Sequence, residues 1–159
     1  MAEQGRVEYR PARVDDAAAI SQLICRYARD FTASSDGTGA EQFLASVSEA
    51  AEAEYISNRR YHFIVACSGN RLAGFIAVRD RNHLFHLFVE PGFQRQGIAT
   101  HLWREARAAA CNAGAYTVNS SLPALPVYER FGFVPAGPEV VAHGICFLPM
   151  RLAADQEHG

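Results

Sequence analysis

The residues with the clearest chemical capacity lie in Gln94-Arg95-Gln96-Gly97-Ile98-Ala99-Thr100. A short turn containing Pro91 and Gly92 leads into them, and apolar residues follow at Ile98, Leu102, Ala106 and Ala109, the spacing of a helix. The first amides of a helix have no carbonyl partner within it, and the helix dipole places partial positive charge at that end. A helix start therefore receives anions. Gly97 lets a ligand approach the backbone closely, Ala99 and Thr100 keep the first turn slim, and Arg95 adds a cation. The expected ligand is a phosphate or pyrophosphate. Just upstream, His83 and His86 stand in the apolar run HLFHLFV. A neutral imidazole, with an ordinary pKa near ~6.5, takes up a proton close to pH 7.

The elements that must hold these residues are legible from pattern. The run from His83 to Val89 is rich in Phe, Leu and Val and reads as a strand. The helix opening at Gln96 to Ala99 is expected to stop at Gly114, a residue suited to a C-cap. Ahead of them, Val7 to Arg10 reads as a first strand, stopped by Pro11. Asp15 or Asp16 is placed to cap a helix whose apolar stripe is Ile20, Leu23, Ile24, Tyr27 and Phe31. A polar loop, Thr32 to Gly39, separates it from a second helix expected from about Ala40 to Ser57, with Phe43, Val47, Ala51 and Tyr55 on one face. Tyr61 to Cys67 and Leu72 to Val78 form a hairpin around Ser68-Gly69-Asn70. After the central strand and helix come a strand from Ala115 to Ser120, a short helix from Pro123 toward Arg130, extended structure at Phe133-Val134, and a last strand from Gly144 to Met150. The order β-α-α-β-β-β-α-β-α-β-β describes a mixed α+β domain over residues 1–152 with a polar tail, 153–159.

Gln94-Arg95-Gln96-Gly97-Ile98-Ala99 resembles the Gln/Arg-x-x-Gly-x-Gly/Ala signature of the GNAT N-acetyltransferases, where it binds the pyrophosphate of acetyl-coenzyme A. Leu87-Phe88-Val89 and Pro91 precede it as that family expects. Tyr128-Glu129-Arg130-Phe131-Gly132-Phe133 follows and resembles the family's Tyr-x-x-x-Gly-Phe. The resemblance is good over roughly residues 60 to 134 and loose before them. It implies a mostly antiparallel sheet flanked by helices, and the element order above is the one it implies. It also implies transfer of an acetyl group from acetyl-CoA to a primary amine of a small molecule or peptide.

The resemblance assigns roles residue by residue. Gln94 through Thr100 hold the coenzyme. A β-bulge in the central strand splays it from its neighbour and frees a backbone amide near Phe88 or Val89 for the thioester oxygen, an arrangement worth about 3 kcal/mol when the donor is preorganised. Tyr128 matches the tyrosine that protonates the departing sulfur. His83 occupies the position of a glutamate base in the histone acetyltransferase branch, His86 is the alternative base, and a water chain is a third route. Glu90, just before the turn, reads as a surface residue. Where the family often carries Asn, seven positions before the tyrosine, this chain has Ser121, which reaches less far; Ala124 does match. The acceptor pocket is expected between the first two helices and the central strand, from Tyr27, Asp30, Phe31, Asp36, Phe43 and Tyr55, an aromatic wall with acidic groups suited to a cationic amine. His143 is placed either near the site or at the surface.

Composition narrows the classes. The chain has 159 residues and a net charge of −2, which disfavours a general nucleic-acid binder. Its 15 basic residues are all Arg. Cys25, Cys67, Cys111 and Cys146 are scattered without a CxxC pair and read as reduced thiols, with no metal site expected. The opening MAEQGRVEYR lacks a signal-peptide core, and no apolar run approaches membrane-spanning length. A cytoplasmic location and no membrane partner are expected. Many relatives pair through their C-terminal strands, so a homodimer is in keeping with the resemblance. A non-catalytic acyl-CoA-binding or regulatory domain of the same fold is the competing reading, weakened by Tyr128. A nucleotide-binding α/β domain is disfavoured because neither G-x-G-x-x-G nor Gly-Lys-Ser/Thr is present.

Overall fold

A computed structural model describes residues 6–34, 38–111 and 114–154. Its strands are β1 (Val7–Pro11), β2 (Tyr61–Ser68), β3 (Arg71–Arg79), β4 (His83–Val89), β5 (Tyr116–Ser120), β6 (Val134–Pro135), β7 (Val140–Ala142) and β8 (Ile145–Leu152). Its helices are α1 (Ala17–Arg26), α2 (Ala28–Phe31), α3 (Glu41–Ser46), α4 (Glu49–Ile56), α5 (Ile98–Ala110) and α6 (Leu125–Phe131). The sheet runs β1-β2-β3-β4-β5-β8-β6, with β7 paired to β8. Neighbouring strands are antiparallel except for β4 and β5, which α5 connects as a parallel crossover.

Each face of the sheet buries one core. Ile64, Ile76, Val78 and Leu84 pack with Leu102, Trp103 and Ala106 of α5, and with Tyr116, Tyr128, Phe133 and Met150. Phe63, Val65, Phe75, Ala77 and Phe88 pack on the opposite face with Ile20, Leu23 and Ile24 of α1 and with Val47. The period-2 alternation of β2 and β3 and the 3.6-residue stripes of α1 and α5 send these side chains inward.

Three expected boundaries move. The helix expected from Ala40 to Ser57 is two helices, because Ser48 is extended and its hydroxyl accepts from the Ala51 amide (3.2 Å) as the N-cap of α4. Carbonyls at this break are satisfied from outside: Ser21 Oγ donates to Val47 O (2.7 Å) and the Tyr55 hydroxyl to Ser46 O (2.9 Å). α1 likewise breaks at Tyr27, whose φ of −102° and ψ of 8° leave the helical region. α5 ends at Cys111, itself left-handed at φ 49°, so Gly114 is not the cap. Asp16 does not cap α1 through its side chain; it pairs with Arg10 (2.8 Å) and accepts from the Arg13 amide (2.7 Å).

Two irregularities of β4 shape the cleft. The β3–β4 register slips at Ala77/Val78: Ala77 faces His86 while Val78 faces Leu84, so Phe85 is the extra residue of a bulge. The bulge expected in this strand is present, three positions before Phe88. Without it, Leu84, His86 and Phe88 would share one face. Instead Leu84 belongs to the α5-side core, whereas Phe88, with His86 beside it (ring centroids 5.9 Å apart), belongs to the α1-side core. Second, the β4–β5 ladder comprises only His83↔Thr117 and Leu84↔Val118. Beyond these pairs the strands diverge.

Candidate active site

The divergence of β4 from β5 opens a cleft of about 930 Å³. β4 contributes Phe85, His86, Leu87, Phe88 and Val89, the α5 loop contributes Gln94, Arg95, Gly97, Ile98, Ala99 and Thr100, and Val118, Asn119 and Ser121 face them from β5 and its end. Ala124, Val127, Tyr128, Arg130 and Phe131 come from α6 and its approach, and Tyr27, Asp30 and Phe31 from the α1–α2 break.

At the α5 end the backbone is set for an anion. Arg95 and Gly97 both adopt positive φ, 64° and 79°. Gly97 is the N-cap residue of α5, and the first amide to turn back onto the helix is His101 N–H, bonded to Gly97 O at 3.0 Å. This leaves the amides of Ile98, Ala99 and Thr100 ahead of the helical ladder. A Cβ built on Gly97 would meet nothing within 4 Å, so the glycine borders open space. Arg95 and Arg130, both exposed, add positive charge to the cleft wall. Gln96, also exposed, lies outside the lining.

Tyr128 projects from α6 into the other side and is 6% exposed, with its ring edge-on to Phe131 and Phe133. Burial raises its hydroxyl well above the ordinary phenol pKa, so it keeps its proton at neutral pH. Ser121, 4% exposed, lines the cleft, while its carbonyl accepts from Ser120 Oγ (2.6 Å) and the Ala124 amide (3.2 Å).

The two histidines separate. His83 is not among the cleft residues: it stands in the paired part of β4, with Nδ1 2.8 Å from Thr117 Oγ1. Desolvation, then the nearby Arg79 and His86, lower its pKa to about 4. His86 lines the cleft, 8% exposed, within a cage of Phe63, Phe75, Phe85 and Phe88. Its Nε2 lies 3.1 and 3.3 Å from the two carboxylate oxygens of Glu52, a residue with no solvent exposure. Glu90 is engaged by Arg26 and by Arg71 (3.4 Å).

The depressed pKa of His83 has a measurable consequence. Between about 4 and the ordinary imidazole value of 6.5 the unfolded chain binds the additional proton, so this group's contribution is complete above the upper value and is lost as pH falls toward the lower one. His83→Asn is expected to flatten the decline of Tm over that interval. A wild-type Tm level from pH 7 to 4.5 contradicts the assignment.

The acceptor side is more committed than its sequence suggests. The Tyr27 hydroxyl donates to Val89 O (2.6 Å) and accepts from Gln94 Nε2 (2.6 Å), tying α1 to the end of β4 and to the anion loop. Phe31 packs on Phe43 and Phe88 and lines the cleft beside Asp30. Phe43 and Tyr55 pack against the α1-side core rather than lining the cleft. Asp36 lies outside the described residues. His143 forms part of the tight β7–β8 turn at φ 52° and is not a cleft residue. Three cleft features escape sequence reasoning: Asn119, Arg130 and the Glu52 partner of His86. Nothing marks Glu52, because Glu49 and Glu54 flank it and an acidic first turn is ordinary at a helix start.

A family model described as an acetyltransferase (GNAT) domain matches residues 31–154. The chain belongs to the GNAT acetyltransferase family. Among solved structures, this GNAT domain is similar to a GCN5-related N-acetyltransferase from Rhodopseudomonas palustris, with TM-score 0.73, 19% identity and coverage of 96% of this chain and 99% of that one. It is similar to the PaiA N-acetyltransferase of Thermoplasma acidophilum, solved with coenzyme A (TM-score 0.71, 16% identity, 93% and 99% covered). YncA of Salmonella typhimurium, solved with its cofactor acetyl-CoA, aligns with TM-score 0.69 at 18% identity over 98% of each chain. No curated protein sequence matches the chain. The mixed α+β fold, with its mostly antiparallel sheet flanked by helices, matches GNAT acetyltransferase structures. Among the described residues no helix is long and apolar enough to cross a membrane.

Proposed function

We propose that this GNAT protein is an N-acetyltransferase that uses acetyl-CoA to acetylate a primary amine of a small molecule or peptide by direct attack. The observation that carries the reading is one continuous cleft bordered by an anion-receiving helix start at Gly97, a buried protonated phenol at Tyr128 and an imidazole at His86. Acetyl-CoA supplies a thioester whose carbonyl is open to an amine and whose thiolate leaves readily. The residues present suit it: open space over Gly97, amides ahead of the α5 ladder and two arginines match a pyrophosphate.

In this reading Gln94, Arg95 and the backbone from Gly97 to Thr100 hold the diphosphate. Ser121 and the unpaired edge of β4 at Phe88 and Val89 orient the arm of the coenzyme, and an amide of that edge receives the thioester oxygen. His86 takes the proton of the acceptor amine. Tyr128 holds a proton for the departing sulfur and regains it from solvent. His86 is preferred to His83 because only His86 borders the cleft. Tyr27, Phe31 and Asp30 form the acceptor wall, matched to a cationic amine. The enzyme acts in the cytoplasm, and a homodimer is its proposed assembly.

Thermal unfolding with acetyl-CoA, and with CoA, NAD and ATP as controls, tests the coenzyme assignment. A ligand at 100 times its Kd adds about 2.7 kcal/mol, which raises Tm by roughly 5–10 °C for a domain of this size. A shift with both coenzymes and neither control is expected. No shift in folded protein overturns the assignment. A shift without release of CoA thiol toward any amine in a panel replaces the enzyme with a coenzyme-binding domain.

A further inference from the structure

Glu52 is the buried ionisable group that the mechanism above leaves without a task. It comes from α4, is wholly inaccessible to solvent, and its Oε2 lies within hydrogen-bond distance of His86 Nε2 (3.3 Å), while Oε1, 3.1 Å from the same nitrogen, has no hydrogen-bond partner among the described residues. A carboxylate enclosed this way costs stability unless a partner compensates it. Its setting is aromatic: the Phe85 ring lies tilted against His86 (centroids 4.1 Å apart) and Tyr55 meets Phe85 edge-on (5.2 Å). The bulge at Phe85 brings His86 to the cleft face, and the Ser48 cap starts α4 where its first full turn places Glu52 behind that imidazole.

We infer that Glu52 is a positioning residue for His86, a role that rests on the acetyltransferase reading. An ionised carboxylate only accepts, so it selects the tautomer with hydrogen on Nε2 and leaves the Nδ1 lone pair as the basic site. The acceptor enters as an ammonium and passes one proton to Nδ1. The imidazolium so formed is held by the Glu52 carboxylate. The neutral amine then forms the C–N bond to the acetyl carbon as the C–S bond breaks, the sulfur takes the Tyr128 proton, and the remaining proton on nitrogen is lost to solvent; the imidazolium then releases its proton to solvent and Tyr128 regains one, so both side chains return to their starting states. The other charged groups facing His86 are His83 on its own strand and Arg79 of β3, whose guanidinium sits 5.6 Å over the Phe85 ring; Asp30 faces the cleft from α2.

Histidine ¹⁵N spectra of the full chain test this directly, with His86→Gln used to assign the signals. Wild-type His86 is expected as the Nε2–H tautomer, and the Nδ1–H fraction is expected to rise in Glu52→Gln. With acetyl-CoA and spermidine, tyramine or a peptide N-terminus as acceptor, Glu52→Gln is expected to lower kcat/KM 10- to 100-fold at pH 7. The acidic limb of the pH profile should move to lower pH, and the Tm shift with CoA should be retained. An Nδ1–H tautomer in the wild type overturns the inference even if Glu52→Gln does not fold. So do an unchanged tautomer ratio and an unmoved acidic limb in a folded variant. Loss of the wild-type response to CoA would instead refute the coenzyme reading and leave the tautomer result standing.

Discussion

Replacing Tyr128 by Phe is expected to lower kcat by 10²- to 10³-fold while leaving the Kd for acetyl-CoA within a factor of about three. The hydroxyl is the single atom removed, and general acid catalysis by a positioned side chain contributes 10²–10⁴-fold. No side chain among the described residues bonds the Tyr128 hydroxyl, so its loss leaves no protein donor or acceptor stranded. The ring contacts with Phe131 and Phe133 survive, and Phe in this pocket is nearly isosteric. Stability should therefore change by less than ~1.5 kcal/mol. Single-turnover measurement of thiol release beside titration of coenzyme binding separates the two quantities. Unchanged turnover would remove Tyr128 from the chemistry.

The second large effect is at Gly97. Gly97→Trp is expected to weaken acetyl-CoA binding at least 100-fold, about 2.7 kcal/mol. Two causes combine. At φ 79° any side chain is strained, by roughly 1–2 kcal/mol in the left-handed region, and that part appears as a Tm lowered by about 2–8 °C. The indole also enters the open space over the helix start, and this part appears only in binding. Gly97→Ala carries the first cause and little of the second, so it should lose similar stability but retain most of its affinity. Isothermal titration of both variants resolves them; equal affinities for Trp and Gly at this position would place the pyrophosphate elsewhere.

What the sequence made legible depended on local signals. The strand-turn-helix at His83 to Ala110 shows as an apolar run, a Pro-Gly turn and a helical stripe, each specified by residues adjacent in the chain. Gly97 was identifiable because only a backbone requirement explains a glycine at that helix start. The split at Ser48 was masked because Phe43, Val47, Ala51 and Tyr55 keep helical phase across it, and the hydroxyls that compensate the break come from Ser21 and Tyr55. The choice between His83 and His86 lay beyond pattern. A bulge reverses the face of every residue after it, and its position at Phe85 is fixed by pairing with β3. Glu52 was hidden for the same reason: its partner is 34 residues away.

The brevity of the β4–β5 junction also bears on cooperativity. β1 to β4 are joined by ladders of five to eight pairs, and β5 is joined to β8 by five, but only two pairs connect these blocks. The α5 core, the Thr32↔Ile145 bridge and the Ala33 N–H to Gly144 O bond (2.8 Å) supply further adhesion. Sub-global opening follows the weakest seam of a structure, so amide exchange in β5 and β8 should proceed through a partial unfolding that spares β2 and β3. A coenzyme lodged between the blocks would act as a removable strut across that seam. It would slow exchange in strands it does not touch and bring the two blocks toward a single melting unit.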